Sequence, residues 1–279
     1  MLIDTHAHLN FAAFKNDVHD VIADCIKDGM KIINVGSQLS TSQRAIDLAK
    51  QYLGRLYASV GMHPIHLFEL EVDEIEIPFK TKPEEFHMEK YEKIASQLEV
   101  VAIGETGLDY FHKPDNISKT EFKNKQKWTF LKQLELAKKH DKPVILHCRG
   151  DKEDNKRAYQ DMIKILKDFG EVKGVIHCFG ADVEIAQQFL DLGLMISFTG
   201  IITFPNAKIL IPVVKKVPLE KIMVETDAPY LAPQAKRGQR NLPQYVKYIA
   251  EKIAEIKKTP YDIVENMTTQ NAIEFFKLK

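Results

Sequence analysis

Three scarcities bound what this chain can be. Cysteine occurs only three times in 279 residues, at Cys25, Cys148 and Cys178, with no Cys-x-x-Cys pair. So few, so scattered, they exclude a disulfide framework and a zinc-finger module, and they fit a reducing compartment. Long apolar runs are missing too: no stretch has the length of a membrane span, and the amino terminus lacks the basic-then-apolar pattern of a signal peptide. The expectation is a cytoplasmic protein with no membrane partner. Charge of one sign is the third absence, since Lys+Arg and Asp+Glu both total 39 and the formal net charge is zero. Gripping nucleic acid by bulk electrostatics is thereby excluded, although a local basic patch is not.

What is present is ordinary globular material, 44% hydrophobic and 28% charged, enough for one domain over 1–279. Short apolar runs begin at Leu2, Lys31, Leu56, Val100, Pro143, Gly174, Leu194 and Lys221, and each reads as a strand. Helical spacing separates most of them. Val18, Val21, Ile22, Cys25 and Ile26 precede Gly29; Ser40-Thr41-Ser42-Gln43 reads as a capping box; Ser118-Lys119-Thr120-Glu121 reads as another, opening a long helix with Phe122, Trp128, Phe130 and Leu134. The stretch 69–92, with Pro78 and Pro83, is expected to be a loop that becomes helical near Tyr91, Ile94, Ala95 and Leu98, and Thr259-Pro260 to open a last helix. Eight strand–helix alternations favour a parallel sheet closed into a single (β/α)₈ TIM barrel over an open doubly wound sheet. No Gly-x-Gly-x-x-Gly turn follows the first strand, so no organic cofactor is expected.

Barrel enzymes place their chemistry at the carboxyl ends of the strands. His6 and His8 share a face of the first strand, with Asp4 behind them. Glu105 ends the fourth, His147 the fifth, His177 the sixth; Asp227 follows the eighth, and His63 follows the third. Any one of these reads as a rim residue, but their recurrence at the same end of several strands points to a metal centre. His19, His140, His87 and His112 fall outside that pattern. Mixed imidazole and carboxylate donors in this number suit two divalent ions: Zn²⁺, Mn²⁺ or Fe²⁺ by ligand type, or Mg²⁺ with water ligands. Two such ions activate a water for hydrolysis, with Asp227 a candidate to accept its proton.

Thr5-His6-Ala7-His8-Leu9, Gly61-Met62-His63-Pro64, Gly104-Glu105-Thr106-Gly107-Leu108-Asp109-Tyr110, His147-Cys148-Arg149, His177-Cys178-Phe179 and Glu225-Thr226-Asp227-Ala228-Pro229-Tyr230-Leu231 form a specific combination. Together they resemble the signature blocks of TatD-type metal-dependent deoxyribonucleases, in the amidohydrolase superfamily. The resemblance implies that His6, His8 and Glu105 bind one metal, that Glu105, His147 and His177 bind the other, and that Asp227 binds metal and acts as base. Cys148, Gly150-Asp151, Gly180 and Leu242 depart from the family's usual Ser, Asp-Ala, Ser and acid. None is a proposed ligand, so the departures bear on substrate preference.

Arg149, Arg237, Arg240 and His63 are candidates for binding phosphates, and Tyr110, with Phe111 and Tyr230, for stacking on bases. The leading expectation is a nuclease that trims single-stranded or frayed DNA ends. A metal-dependent hydrolase of a small amide, ester or lactone, or of an aminoacyl-tRNA ester, remains open, as does a metal-binding partner protein without turnover.

Overall fold

Parallel strands in sequential order form the frame of the molecule, seen in a computed structural model that describes residues 1–72 and 79–279. The strands are β1 (Ile3–Ala7), β2 (Lys31–Val35), β3 (Leu56–Val60), β4 (Val100–Asp109), β5 (Val144–Arg149), β6 (Gly174–Ile176), β7 (Met195–Phe198) and β8 (Ile222–Val224). Each pairs in parallel with the next. Between β8 and β1 the ring is nearly closed by a bridge from Ala7 to Ala228, with the Asp227 amide donating to the His6 carbonyl at 2.8 Å. The result is the (β/α)₈ barrel that the alternation predicts.

Around it lie α1 (Val18–Lys27), α2 (Leu39–Ala49), α3 (Met88–Ala95), α4 (Lys119–Lys139), α5 (Arg157–Phe169), α6 (Val183–Asp191), α7 (Leu210–Lys216), α8 (Val246–Lys257) and α9 (Tyr261–Phe276). Local chemistry sets several boundaries. The Ser118 hydroxyl accepts from the Glu121 amide at 3.2 Å to start α4, and the Asp182 carboxylate accepts from the Ile185 amide at 3.1 Å to start α6. Gly29, at a φ of +75°, turns the chain out of α1. Among the described residues no helix is long and apolar enough to cross a membrane.

Several expectations need correction. Helix α2 is capped at Gln38, whose amide donates to the Thr41 hydroxyl at 2.9 Å, so the box opens two residues before Ser40. Pro260 caps α9 from outside the helix rather than occupying its first turn. Helices α7 and α8 were not anticipated, although Val246, Ile249, Ala250 and Ile253 follow helical spacing and are buried. Trp128 is 53% exposed and Leu98 96%, because one faces outward on α4 and the other lies beyond the end of α3. In the stretch 69–92, Glu71–Val72 pairs antiparallel with Phe79–Lys80, while Pro78 lies outside the described residues.

The floor of the barrel is apolar. Ile3, Ile33, Ile145, Val175, Met195 and Met223 form one buried cluster with Phe275, Phe276 and Leu278 from the end of the chain, so α9 closes the amino-terminal mouth. The carboxyl-terminal mouth is left for side chains of another kind.

Candidate active site

Strand alternation brings His6 and His8 to the same side of the chain at the end of β1, as i and i+2 positions must be. Their Nε2 atoms face each other at 3.1 Å. The Asp227 Oδ1 lies 3.3 Å from the second of these nitrogens, and the Glu105 Oε2 lies 3.5 Å from the first. Across the mouth, Glu105 Oε1 meets His147 Nδ1 at 2.9 Å, His63 Nε2 at 3.4 Å and His177 Nε2 at 3.7 Å. The structure thus brings His6, His8, His63, Glu105, His147, His177 and Asp227 around one space.

Surrounding groups decide which ring nitrogen faces inward. His8 Nδ1 donates to the Val35 carbonyl at 2.8 Å, and His177 Nδ1 meets the buried Glu225 Oε1 at 2.7 Å, so both turn Nε2 toward the centre. His147 has a carboxylate at each nitrogen, Glu105 at Nδ1 and Asp109 Oδ2 at 3.0 Å from Nε2. His63 differs, for its Nδ1 accepts from the Ile65 amide at 3.2 Å; the proton therefore sits on Nε2, which faces Glu105 as a donor.

Electrostatics follow from crowding these groups out of water. Burial pushes the Glu105 carboxyl up, but the imidazoles of His63, His177 and His6 override it and hold the group well below the ordinary carboxylate value. Asp109 is likewise held well down against burial by its bonds to His112 and His147, and Asp227 is lowered by His177 and His8. Burial depresses His147, yet Asp109 and Glu105 raise it to about 9; burial depresses His177, yet Glu225 and Glu105 raise it to about 10. His6 is lowered by burial and by the neighbouring His177.

Such an arrangement fits divalent cations. Buried Nε2 atoms aimed at one another, with carboxylate oxygens between them, leave lone pairs that hydrogen bonds within the protein cannot all satisfy. Among the described residues, three donor sets have their ligand atoms within 4.8 Å of one another: His6–Glu105–His177, His6–His8–Asp227 and His63–Asp109–His147.

Some expected contributors are held elsewhere. Tyr110 is buried and its hydroxyl donates to Asp161 Oδ2 at 2.9 Å, which points the ring toward α5 and away from the mouth. Arg240 packs over the Phe14 ring and pairs with Asp17, its Nη1 lying 3.0 Å from Oδ1, so it is a structural clamp. Arg237 sits 4.4 Å from the Phe204 ring centroid and does not line the central cavity. Arg149 does line it, with its guanidinium 4.1 Å over the Phe111 ring.

Other contributors were missed by sequence reasoning. Strand β4 does not end at Glu105 but runs on to Asp109, past a register shift between Ile103 and Thr106. Asp109 consequently reaches the same mouth, where it binds His147 and, at 2.9 Å, His112 Nδ1. Positions 105, 107 and 109 alternate onto one face, which was the available signal. Glu225, just past the end of β8, was missed as well; its Oε1 lies 2.7 Å from His177 Nδ1. His66, whose Nε2 lies 3.1 Å from the Ser37 hydroxyl, and Phe11 also line the mouth.

The donors sit at the bottom of a cavity of about 760 Å³. A nearly closed (β/α)₈ barrel with buried imidazoles and carboxylates converging at its carboxyl-terminal mouth defines the class: a metal-dependent hydrolase. Comparisons agree with that definition and narrow it. The family model described as TatD related DNase matches residues 3–277. A Bacillus subtilis protein named uncharacterized metal-dependent hydrolase YabD is 35% identical over all of both chains. The Escherichia coli uncharacterized metal-dependent hydrolase YcfH is 33% identical, covering 99% of this chain and 96% of its own. Among solved structures, the TatD homologue YjjV of E. coli superposes with a TM-score of 0.82 at 29% identity, covering 100% of this chain and 98% of its own. The chain belongs to the TatD family.

Proposed function

We propose that this protein is a two-metal phosphodiesterase that trims DNA at single-stranded or frayed ends. The position of Glu105 carries the reading: Oε2 lies 3.5 and 3.7 Å from Nε2 of His6 and His8, while Oε1 lies 2.9 Å from His147 Nδ1 and 3.7 Å from His177 Nε2. A carboxylate that faces two sets of imidazoles would help to hold two ions, one with His6, His8 and Asp227 and the other with His147 and His177. Bound there, Zn²⁺, Mn²⁺ or Mg²⁺ would lower the pKa of a water and neutralise charge on the phosphate.

The chain's own residues supply the remaining roles. Asp227, kept anionic by His177 and His8, accepts the proton of the attacking water. The His63 Nε2–H and the Arg149 guanidinium donate to phosphate oxygens. The family's description supports DNA as the substrate class, and a barrel mouth admits one strand more readily than a duplex.

Digestion of a labelled oligonucleotide with Mg²⁺, Mn²⁺ and Zn²⁺ in turn tests the reading. Wild type should release nucleotides with at least one ion, and Glu105→Ala should be slower by about 10³-fold or more. Turnover of esters or lactones with none of any oligonucleotide would replace the phosphodiesterase reading, and full activity of the variant would remove Glu105 from it.

A further inference from the structure

Phe11 has no part in the chemistry described so far, yet it stands next to the donors. It follows β1 and lies flat against the His8 imidazole, with 4.3 Å between ring centroids and 12° between planes. Tyr230, which follows β8, stands edge-on to it at 6.5 Å and 72°. Both rings line the cavity, and Phe11 is only half buried. Strands β1 and β8 are neighbours, so these aromatics share one side of the mouth.

The other side is different in kind. Four strands around the ring, at the ends of β4 and β5, the Phe111 ring carries the Arg149 guanidinium at 4.1 Å and the Lys152 ammonium at 5.1 Å. Arg149 and Lys152 therefore stand across the donor floor from Phe11, and this spacing matches a nucleotide, which has an apolar face at one end and a charged phosphate at the other.

We propose that Phe11 forms a base-stacking subsite, taking the unpaired terminal base of a single DNA strand whose backbone crosses the donor floor toward Arg149 and Lys152. The proposal rests on the phosphodiesterase reading and gives it a physical basis for single-strand preference. The end base of a duplex is held by its pairing partner, whereas an unpaired end base is free to turn out of the stack and lay a face on Phe11. Stacking of this kind tolerates any base, since each has a π face.

Binding to chelator-treated protein tests the subsite without turnover. The probes are single-stranded hexanucleotides carrying fluorescent 2-aminopurine at the 3′ or the 5′ end, each paired with a hexanucleotide abasic at that end. Wild type should quench the fluorophore at one end and bind that strand about tenfold more tightly than its abasic partner, within the range for one base on an aromatic ring. Phe11→Ala should erase the preference while binding the abasic strand as wild type does, and Phe11→Trp should keep it. A preference that survives in Phe11→Ala overturns the subsite. Equal weakening on both strands also overturns it, because Phe11 would then only seat His8. Wild type that digests base-bearing and abasic ends alike, with no difference in affinity, removes the subsite and leaves the phosphodiesterase reading standing. Failure to bind or digest any strand removes both.

Discussion

The two ends of the barrel are buried alike and built from opposite materials. At the amino-terminal end, Ile3, Ile33, Ile145, Val175 and Met223 meet Phe275, Phe276 and Leu278, and each gains from leaving water. At the carboxyl-terminal end, His6, His8, Glu105, Asp109 and His177 are also under a tenth exposed, but every one loses hydration on burial. Depth in the fold therefore does not separate structure from chemistry here. What separates them is compensation: the apolar end is complete by itself, whereas the polar end has donor atoms aimed at a space that a cation fits.

Substitutions can break that contrast or sharpen it. The largest effect on activity belongs to Glu105→Ala, already expected to slow turnover by about 10³-fold or more; because it also strips His147 and His177 of a buried counter-charge, it should lower the melting temperature of the metal-free protein. At the apolar end Phe276→Ala should cost about 3–5 kcal/mol by opening a cavity, with kcat unchanged below the unfolding transition. A large loss of kcat in the folded Phe276 variant would show that the two ends are not independent.

Next in size is Asp109→Asn. The substitution keeps the shape but weakens the hold on His147 and His112, and should lower activity or metal affinity about 10–100-fold, because the Asp109 carboxylate fixes the orientation of the His147 ring. Titration of metal into wild type and variant measures it. A fourth effect comes from acid. Burial pushes the His66 imidazole down from 6.5 to about 4, so stability is intact above pH 6.5 and is lost as pH falls toward 4, where the unfolded chain takes up a proton that the fold resists. Melting curves from pH 7 to 4 should show His66→Gln losing less than wild type, by roughly 1–3 kcal/mol at the acid end. Parallel curves would assign acid sensitivity to other groups. The smallest change is expected from Arg240→Ala: the ion pair with Asp17 is partly exposed and contributes up to about 1 kcal/mol, and oligonucleotide affinity should not move. Weaker DNA binding in this variant would return Arg240 to the substrate surface.

How far the sequence could be read depended on the kind of element. His6, His8, His147 and His177 could be assigned to one mouth because parallel strands in a barrel all point the same way, which turns position along a strand into position in space. Asp109 escaped because Gly104 and Gly107, both at strongly positive φ, read as punctuation, yet β4 passes through them and continues. Loops gave less. Tyr110 and Phe111 are adjacent just past the end of β4, yet the Asp161 carboxylate on α5 captured Tyr110 while Phe111 lines the cavity. Arg240 and Arg149 looked equivalent as cations, and only the fold told them apart, by packing Arg240 against Asp17 and Phe14 and setting Arg149 on the cavity wall.

Periodicity and turn residues by themselves determined that the chain would alternate strand and helix, and the signature blocks determined the family. Those are local properties, written in the spacing of neighbouring residues. The tertiary structure alone decided that one Glu105 carboxylate faces two groups of imidazoles, that α9 seals the far end, and that Phe11 lies against His8. Each is a distance between parts of the chain that the sequence leaves free until the barrel closes.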